Sequence, residues 1–169
     1  MSYARLIRPR TLFAAIFLGT SGLLAYGLWL QHASHLEPCP MCILQRYAFV
    51  VAGLVGLVAA VHNPRALGVR IYGGLVILAA IAGGGVATRQ TWLQHNPPQI
   101  ADCGPGLEFM VESFPLSEAL PMIFRGSGDC SKVDWTFLGF SIAEWALACF
   151  VGIALISALA MIRVRASAR

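Results

Sequence analysis

The stretch PCPMCILQRYAFVVAGLVGLVAAV, residues 38–61, decides the fold. From Cys42 to Val61 it carries one charge, Arg46. A helix needs about 20 apolar residues to cross roughly 30 Å of hydrocarbon. The run therefore reads as a membrane span entered through two prolines and a C-x-x-C. A thiol pair is reactive, and a charge inside a span is rare and costly. Both stand at the same end of this one.

Three further stretches qualify as spans: about Leu12 to Leu30, Val69 to Thr88 and Ile142 to Met161. The first exceeds a signal-peptide core of about 7–15 residues, and no clear small-residue cleavage site follows it. It reads as a retained span. Only 12% of the chain is charged, against about 25% in a soluble domain. The expected fold is an all-α membrane protein, a four-transmembrane-helix bundle forming a single domain over residues 1–169. Two loops face outward, about residues 31–41 and 89–141. Ala79 and Gly83, and Ala80 and Gly84, have the four-residue spacing that lets membrane helices approach closely. Gly83-Gly84-Gly85 has no surrounding strand or βαβ unit and is not a phosphate loop.

The charges set the orientation. Arg5, Arg8 and Arg10 precede the first span, Arg65 and Arg70 lie between the second and third, and Arg163, Arg165 and Arg169 follow the fourth. Every acid lies on the other side: Glu37, Asp102, Glu108, Glu112, Glu118, Asp129, Asp134 and Glu144. Basic residues mark the cytoplasmic side, so both termini are expected there. The net charge of +4 is thereby a topology signal toward the lipid bilayer, and no nucleic acid is needed to explain it. Trp29, Trp92, Trp135 and Trp145 fall near the outer boundary, as an interfacial belt or as ordinary apolar filler.

The second loop contains GLEFMVESFPLSEAL, residues 106–120. Leu107, Met110, Val111 and Phe114 recur at helical spacing, with Glu108 and Glu112 on other faces. A short amphipathic helix is expected, lying on the membrane or packed on the bundle, with Pro115 ending or kinking it.

Cys39, Cys42, Cys103 and Cys130 lie in or beside polar stretches; Cys149 lies inside an apolar run. Four outer cysteines fit two disulfides in an oxidising compartment, with Cys149 an inert thiol. Cys42 falls at the N-terminus of the second span. The helix dipole there favours negative charge, and such thiols ionise below the free value of about 8.5. Cys42 is therefore a candidate electron donor. Arg46, four residues on, lies on the same helix face. It either snorkels to the interface or holds a thiolate or an electron-rich ligand. Zinc on four thiolates, with His32 or His35 substituting, is a competing use. Cys103 and Cys130 lack a C-x-x-C spacing, which argues against zinc, so no metal is expected. A c-type haem needs C-x-x-C-H, and residue 43 is Ile.

Together, PCPMCILQR, CGPGL at 103–107, GSGDC at 126–130 and WTFLGFSIAEW at 135–145 resemble the DsbB family, the bacterial disulfide bond formation protein B. The resemblance covers nearly the whole chain. It implies an inner-membrane protein-disulfide:quinone oxidoreductase that re-oxidises a periplasmic DsbA-type thiol oxidase. The membrane quinone, ubiquinone or menaquinone, would be its cofactor. It implies two redox-active disulfides, Cys39–Cys42 and Cys103–Cys130. Cys103 matches the cysteine that forms the mixed disulfide with the partner. Cys42 matches the thiolate that engages quinone, and Arg46 matches a quinone-binding arginine. The long second loop would move to bring Cys130 or Cys103 to Cys39.

Two other classes compete. One is a quinone-coupled thiol enzyme similar to vitamin K epoxide reductase; the order of the cysteine motifs favours DsbB. The other is a non-enzymatic tetraspan protein whose disulfides only staple its loops, a reading that leaves Arg46 unexplained.

Overall fold

The computed structural model describes residues 8–34, 39–97, 115, 128–133 and 135–167. In chain order it holds α1 (Pro9–Ser34), α2 (Pro40–His62), α3 (Ala66–His95), the single turn α4 (Gly128–Ser131), β1 (Thr136–Phe137), β2 (Phe140–Ser141) and α5 (Ile142–Ser167). The helices α1, α2, α3 and α5 are each long and apolar enough to cross a membrane. Neighbours pack in chain order, α1 on α2, α2 on α3 and α3 on α5, and α5 closes back on α1. The result is the expected four-helix membrane bundle. Leu54, Leu78 and Leu155 point outward, more than half exposed. A helix apolar on every side is a membrane helix.

The first three long helices overrun the expected spans at both ends, and α5, which starts at the expected Ile142, overruns only at its C-terminal end. The second starts at Pro40 rather than Cys42, because Cys39 is its N-cap, with φ −67° and ψ 160°. Proline at the first helical position loses no hydrogen bond that the helix would have made. The third continues through Arg89 to His95, residues expected in the second loop. Likewise Gln31–Ser34, expected in the first loop, close α1. Apolar counting stops where polar side chains begin. The backbone ladder of α3 persists until Pro97 removes the next donor.

Small residues hold α3 to its neighbours. The buried seam Val69, Gly73, Val76, Ala80, Gly83, Ala87 and Gln90 repeats at three and four residues, the spacing of one helix face. A Cβ at Gly83 would collide with the Phe150 ring and with Ala48. Its absence lets Phe150 stack on Phe49, ring centroids 4.0 Å apart. At Gly73 the side chain of Ser157 reaches the backbone, and its Oγ donates to the Gly73 carbonyl at 3.0 Å. The Ala80 and Gly83 positions of the sequence pattern are thus the buried ones.

A capping box starts α5. The Ser141 N–H donates to Glu144 Oε2 at 2.7 Å, and the Glu144 N–H donates to Ser141 Oγ at 3.3 Å. Such reciprocal bonds satisfy amides that the first turn leaves orphaned. Ser141 Oγ also donates to Gln94 Oε1 at 2.7 Å, tying this start to the end of α3. Just ahead, β1 pairs antiparallel with β2 around Leu138 and Gly139, both at positive φ. Trp145 Nε1 donates to the Phe137 carbonyl at 3.0 Å and fixes the hairpin over the bundle end. The amphipathic stretch of the second loop lies outside the described residues, apart from Pro115.

Candidate functional site: a sulfur cluster on an apolar cavity

Cys39 and Cys42 share one helical start. As N-cap, Cys39 accepts from the Cys42 backbone N–H at 3.4 Å. Its Sγ stands 3.0 Å from Cys42 Sγ. The C-x-x-C spacing produces this contact directly, since cap and third helical residue face each other across the first turn.

Cys130 completes the cluster. It sits on α4, fully buried, and packs with Cys39, Met41, Val86 and Leu93. Its side chain is hydrogen-bonded to that of Cys39. Cys39 is therefore the middle sulfur of three. Its bond to Cys130, then its bond to Cys42, then burial push the Cys39 thiol well above the ordinary thiol range. The resemblance implied movement of the second loop to bring Cys130 or Cys103 to Cys39; here Cys130 already touches Cys39, because α4 packs on α3. Cys103 lies outside the described residues.

Two buried glutamines bracket the sulfurs. Gln90 Nε2 donates to Cys42 Sγ at 3.3 Å and to Cys39 Sγ at 3.4 Å. Gln45 Nε2 donates to Gln90 Oε1 at 2.7 Å. Neither residue was singled out from sequence as a site residue. The signal was present in the seam of α3, where a run of small apolar positions ends on a glutamine. A buried amide left unpaired costs about 1–3 kcal/mol, so a polar residue on such a seam marks a partner.

Arg46 stands one turn below Cys42, half-buried, and its Nη1 donates to Gln31 Oε1 on α1 at 2.7 Å. It faces inward across a helix interface. Pure snorkelling leaves that bond unexplained.

These groups surround one end of a cavity of about 500 Å³. Cys39, Cys42, Gln31, Gln45, Arg46 and Gln90 supply polar lining, while Leu23, Leu24, Leu30 and Phe49 supply apolar wall. Trp135, Phe137 and Trp145 of the hairpin region border it as well. Two of the four expected belt tryptophans thus line the cavity; Trp29 and Trp92 are mostly exposed. Cys149, read from sequence as an inert thiol in an apolar run, is half-buried on the cavity wall. Helix α5 presents it there, one turn beyond Trp145.

A family profile described as disulfide bond formation protein DsbB matches residues 9–160. The chain belongs to the DsbB family. It is 62% identical over 148 residues to disulfide bond formation protein B of Azoarcus sp. (strain BH72), covering 88% of this chain and 89% of that one. The protein of the same description from Aromatoleum aromaticum is 58% identical over 156 residues, covering 92% and 94%. That from Hahella chejuensis is 48% identical over 155 residues, covering 91% and 94%. The matched region of this DsbB-family chain takes in α1, α2, α3, α5 as far as Ala160, and every cysteine described above.

Proposed function

We propose that this chain is a thiol oxidase that re-oxidises a soluble periplasmic DsbA-type dithiol and delivers the electrons to membrane quinone. One observation carries the reading: three sulfurs form a chain whose last member, Cys42, opens onto an apolar cavity.

The exchange steps balance as thiolate attacks on disulfides. A partner thiolate attacks Cys103 of the Cys103–Cys130 disulfide, forming a mixed disulfide and releasing the Cys130 thiolate. Cys130 attacks Cys39 of the Cys39–Cys42 disulfide and releases the Cys42 thiolate. The partner's second thiol displaces Cys103, and Cys103 then attacks Cys130, restoring the outer disulfide and freeing Cys39. In sum, two electrons and two protons leave the partner dithiol and arrive at Cys39 and Cys42. Direct contact between Cys39 and Cys130 supports the middle step.

Quinone bound in the cavity supplies a two-electron, two-proton acceptor. The cavity suits it: Leu23, Leu24, Leu30 and Phe49 fit a flat ring and a prenyl chain, and Arg46 and Gln31 offer donors for ring oxygens. Cys42, on the cavity wall, would be the sulfur facing such an acceptor, and re-forming the Cys39–Cys42 disulfide releases the two electrons and two protons that it would take up. The apolar wall keeps water from the thiolate while this happens.

The deciding assay mixes purified protein, quinone and reduced DsbA-type partner, and follows quinone absorbance. Catalytic quinone reduction that disappears in Cys42→Ser is expected. No reduction by the wild-type protein under these conditions would sink the proposal.

A further inference from the structure

The least explained feature of the site is the Gln45–Gln90 pair. Both amides are buried, 4% and 3% exposed, at the membrane end of a redox centre that sulfur chemistry alone could run. Gln90 offers its amide N–H groups to both sulfurs, at 3.3 and 3.4 Å. Its carbonyl is engaged by Gln45 at 2.7 Å, which fixes the orientation of the amide. The same Oε1 also lies 3.7 Å from Cys42 Sγ, where the protonated thiol can donate to it.

We propose that Gln90, held by Gln45, is a positioning residue that selects Cys42 as the sulfur that carries the charge when the pair is reduced. The inference rests on the thiol-oxidase reading above and deepens it. Cys39 and Cys42 are chemically identical, and both border the cavity. They differ in surroundings. Cys39 has two thiol neighbours, Cys42 and Cys130, and serves exchange. Cys42 has one thiol neighbour among the described residues, Cys39, and it alone is reached by both the amide nitrogen and the amide oxygen of Gln90, at 3.3 and 3.7 Å. Hydrogen bonds to an ionised group favour its ionised form and are roughly twice as strong as bonds between neutral groups. One amide therefore serves both states of Cys42. Its oxygen accepts from the thiol, and its N–H donates once the proton has gone. Gln45 prevents the amide from turning its oxygen to both sulfurs.

The chemistry defines the substitutions. Gln90→Met keeps length and apolar volume but removes both functions. Gln90→Glu keeps the shape but replaces the donor with an acceptor. The measurement uses the full-length reduced protein in detergent, without partner or quinone. Iodoacetamide labelling of each cysteine is followed by mass spectrometry across pH, and melting temperature is recorded for every variant. In the wild type, Cys42 is expected to label at lower pH than Cys39. In both variants the Cys42 midpoint is expected to move up by about one pH unit, with about tenfold slower labelling at neutral pH, the effect of one charge-assisted bond. Cys149 labelling stays unchanged and serves as the internal control.

An unchanged Cys42 midpoint in either variant that melts like the wild type overturns the proposal and leaves the glutamines a purely structural pair. A wild-type protein in which Cys39 labels at lower pH than Cys42 overturns it as well. Because no quinone or partner is present, this outcome is independent of the quinone-reduction assay, and each reading can fail alone.

Discussion

Arg46 Nη1 lies 2.7 Å from Gln31 Oε1, a bond that joins the first turns of α2 to the last turns of α1 on the cavity wall. The bond holds the guanidinium at the cavity rather than at the lipid headgroups. A guanidinium presents five donors, so engaging Gln31 leaves others for a ligand oxygen. Arg46→Ala is expected to raise the KM for quinone about tenfold or more, the size of one charged hydrogen bond, with a smaller effect on kcat. Gln31→Leu should raise it less, because the charge remains but loses its anchor. Steady-state titration of quinone at saturating reduced partner gives both numbers. An unchanged KM in Arg46→Ala would return the residue to interfacial snorkelling.

Contact between Cys39 and Cys130 makes a cross-link between them accessible without rearrangement. In Cys42→Ser/Cys103→Ser, Cys39 and Cys130 have both lost the partners proposed for them and stand side by side. Mild oxidation of this variant should give a Cys39–Cys130 disulfide, detected by peptide mapping under non-reducing conditions. Quinone reduction should be abolished. A map showing Cys39 unpaired would mean that α4 does not hold Cys130 in place.

The raised Cys39 thiol has a consequence for stability. An unfolded thiol ionises at about 8.5, and the folded one ionises at higher pH because Cys130, Cys42 and burial favour its protonated form. Below the unfolded value both states hold the proton, and the contribution of these contacts is fully present. As pH rises past that value the unfolded state loses its proton first, so stability falls toward the folded value. The fully reduced protein should therefore lose melting temperature between about pH 8 and 10. Cys39→Ser should flatten part of that slope. Melting curves in detergent under reducing conditions check this; parallel slopes would contradict it.

Much of the architecture was legible because bilayer physics is a coarse filter. The run after Cys42, the arginines at Arg65 and Arg70 and the glycine at Gly83 each state one constraint, and each reads directly as span, turn or close contact. The helix ends were less legible. Arg89 to His95 are mostly polar, and nothing in their composition separates a loop from a helix that continues beyond the lipid. The site was half legible. C-x-x-C and Arg46 follow from spacing along one helix. Gln90, Gln31 and Cys130 come from three other elements, and their approach to Cys42, Arg46 and Cys39 respectively is a property of packing. The place of Cys149 on the cavity wall was not legible for a related reason: an apolar run tells that a residue is in a span, not whether it faces protein, lipid or a cavity.

The capping box of α5 offers a test of how the hairpin region is held. Ser141 Oγ accepts from the Glu144 amide and donates to Gln94, so one hydroxyl serves both the helix start and the α3–α5 junction. Ser141→Ala should lower stability by about 1–2 kcal/mol, the upper range for losing such a cap. Ser141→Asp keeps a capping acceptor but cannot donate to Gln94, and should recover only part of the loss. Thermal melts of the two variants decide between a local cap and a junction: equal melting temperatures for wild type and Ser141→Asp would assign the role to the cap alone.

Cys149 allows the cavity to be tested by volume. Its side chain borders the cavity with Phe49 and Trp145 but makes no contact with the three clustered sulfurs among those described. Serine is close in size, so Cys149→Ser should leave turnover near wild type. Tryptophan at this position adds a ring to a space of about 500 Å³, and that ring and a bound ring would compete for the same wall. Cys149→Trp is therefore expected to raise the KM for quinone by about tenfold or more, within the range that overpacking a filled site costs. The first exchange of the proposed cycle involves Cys103 and Cys130; Cys130 does not line the cavity, so this step should proceed normally. Two measurements separate these effects: quinone titration, and trapping of the partner mixed disulfide. Loss of trapping along with quinone turnover would mean that the bundle itself had been disturbed. Unchanged KM in a folded Cys149→Trp protein would move the quinone out of this cavity.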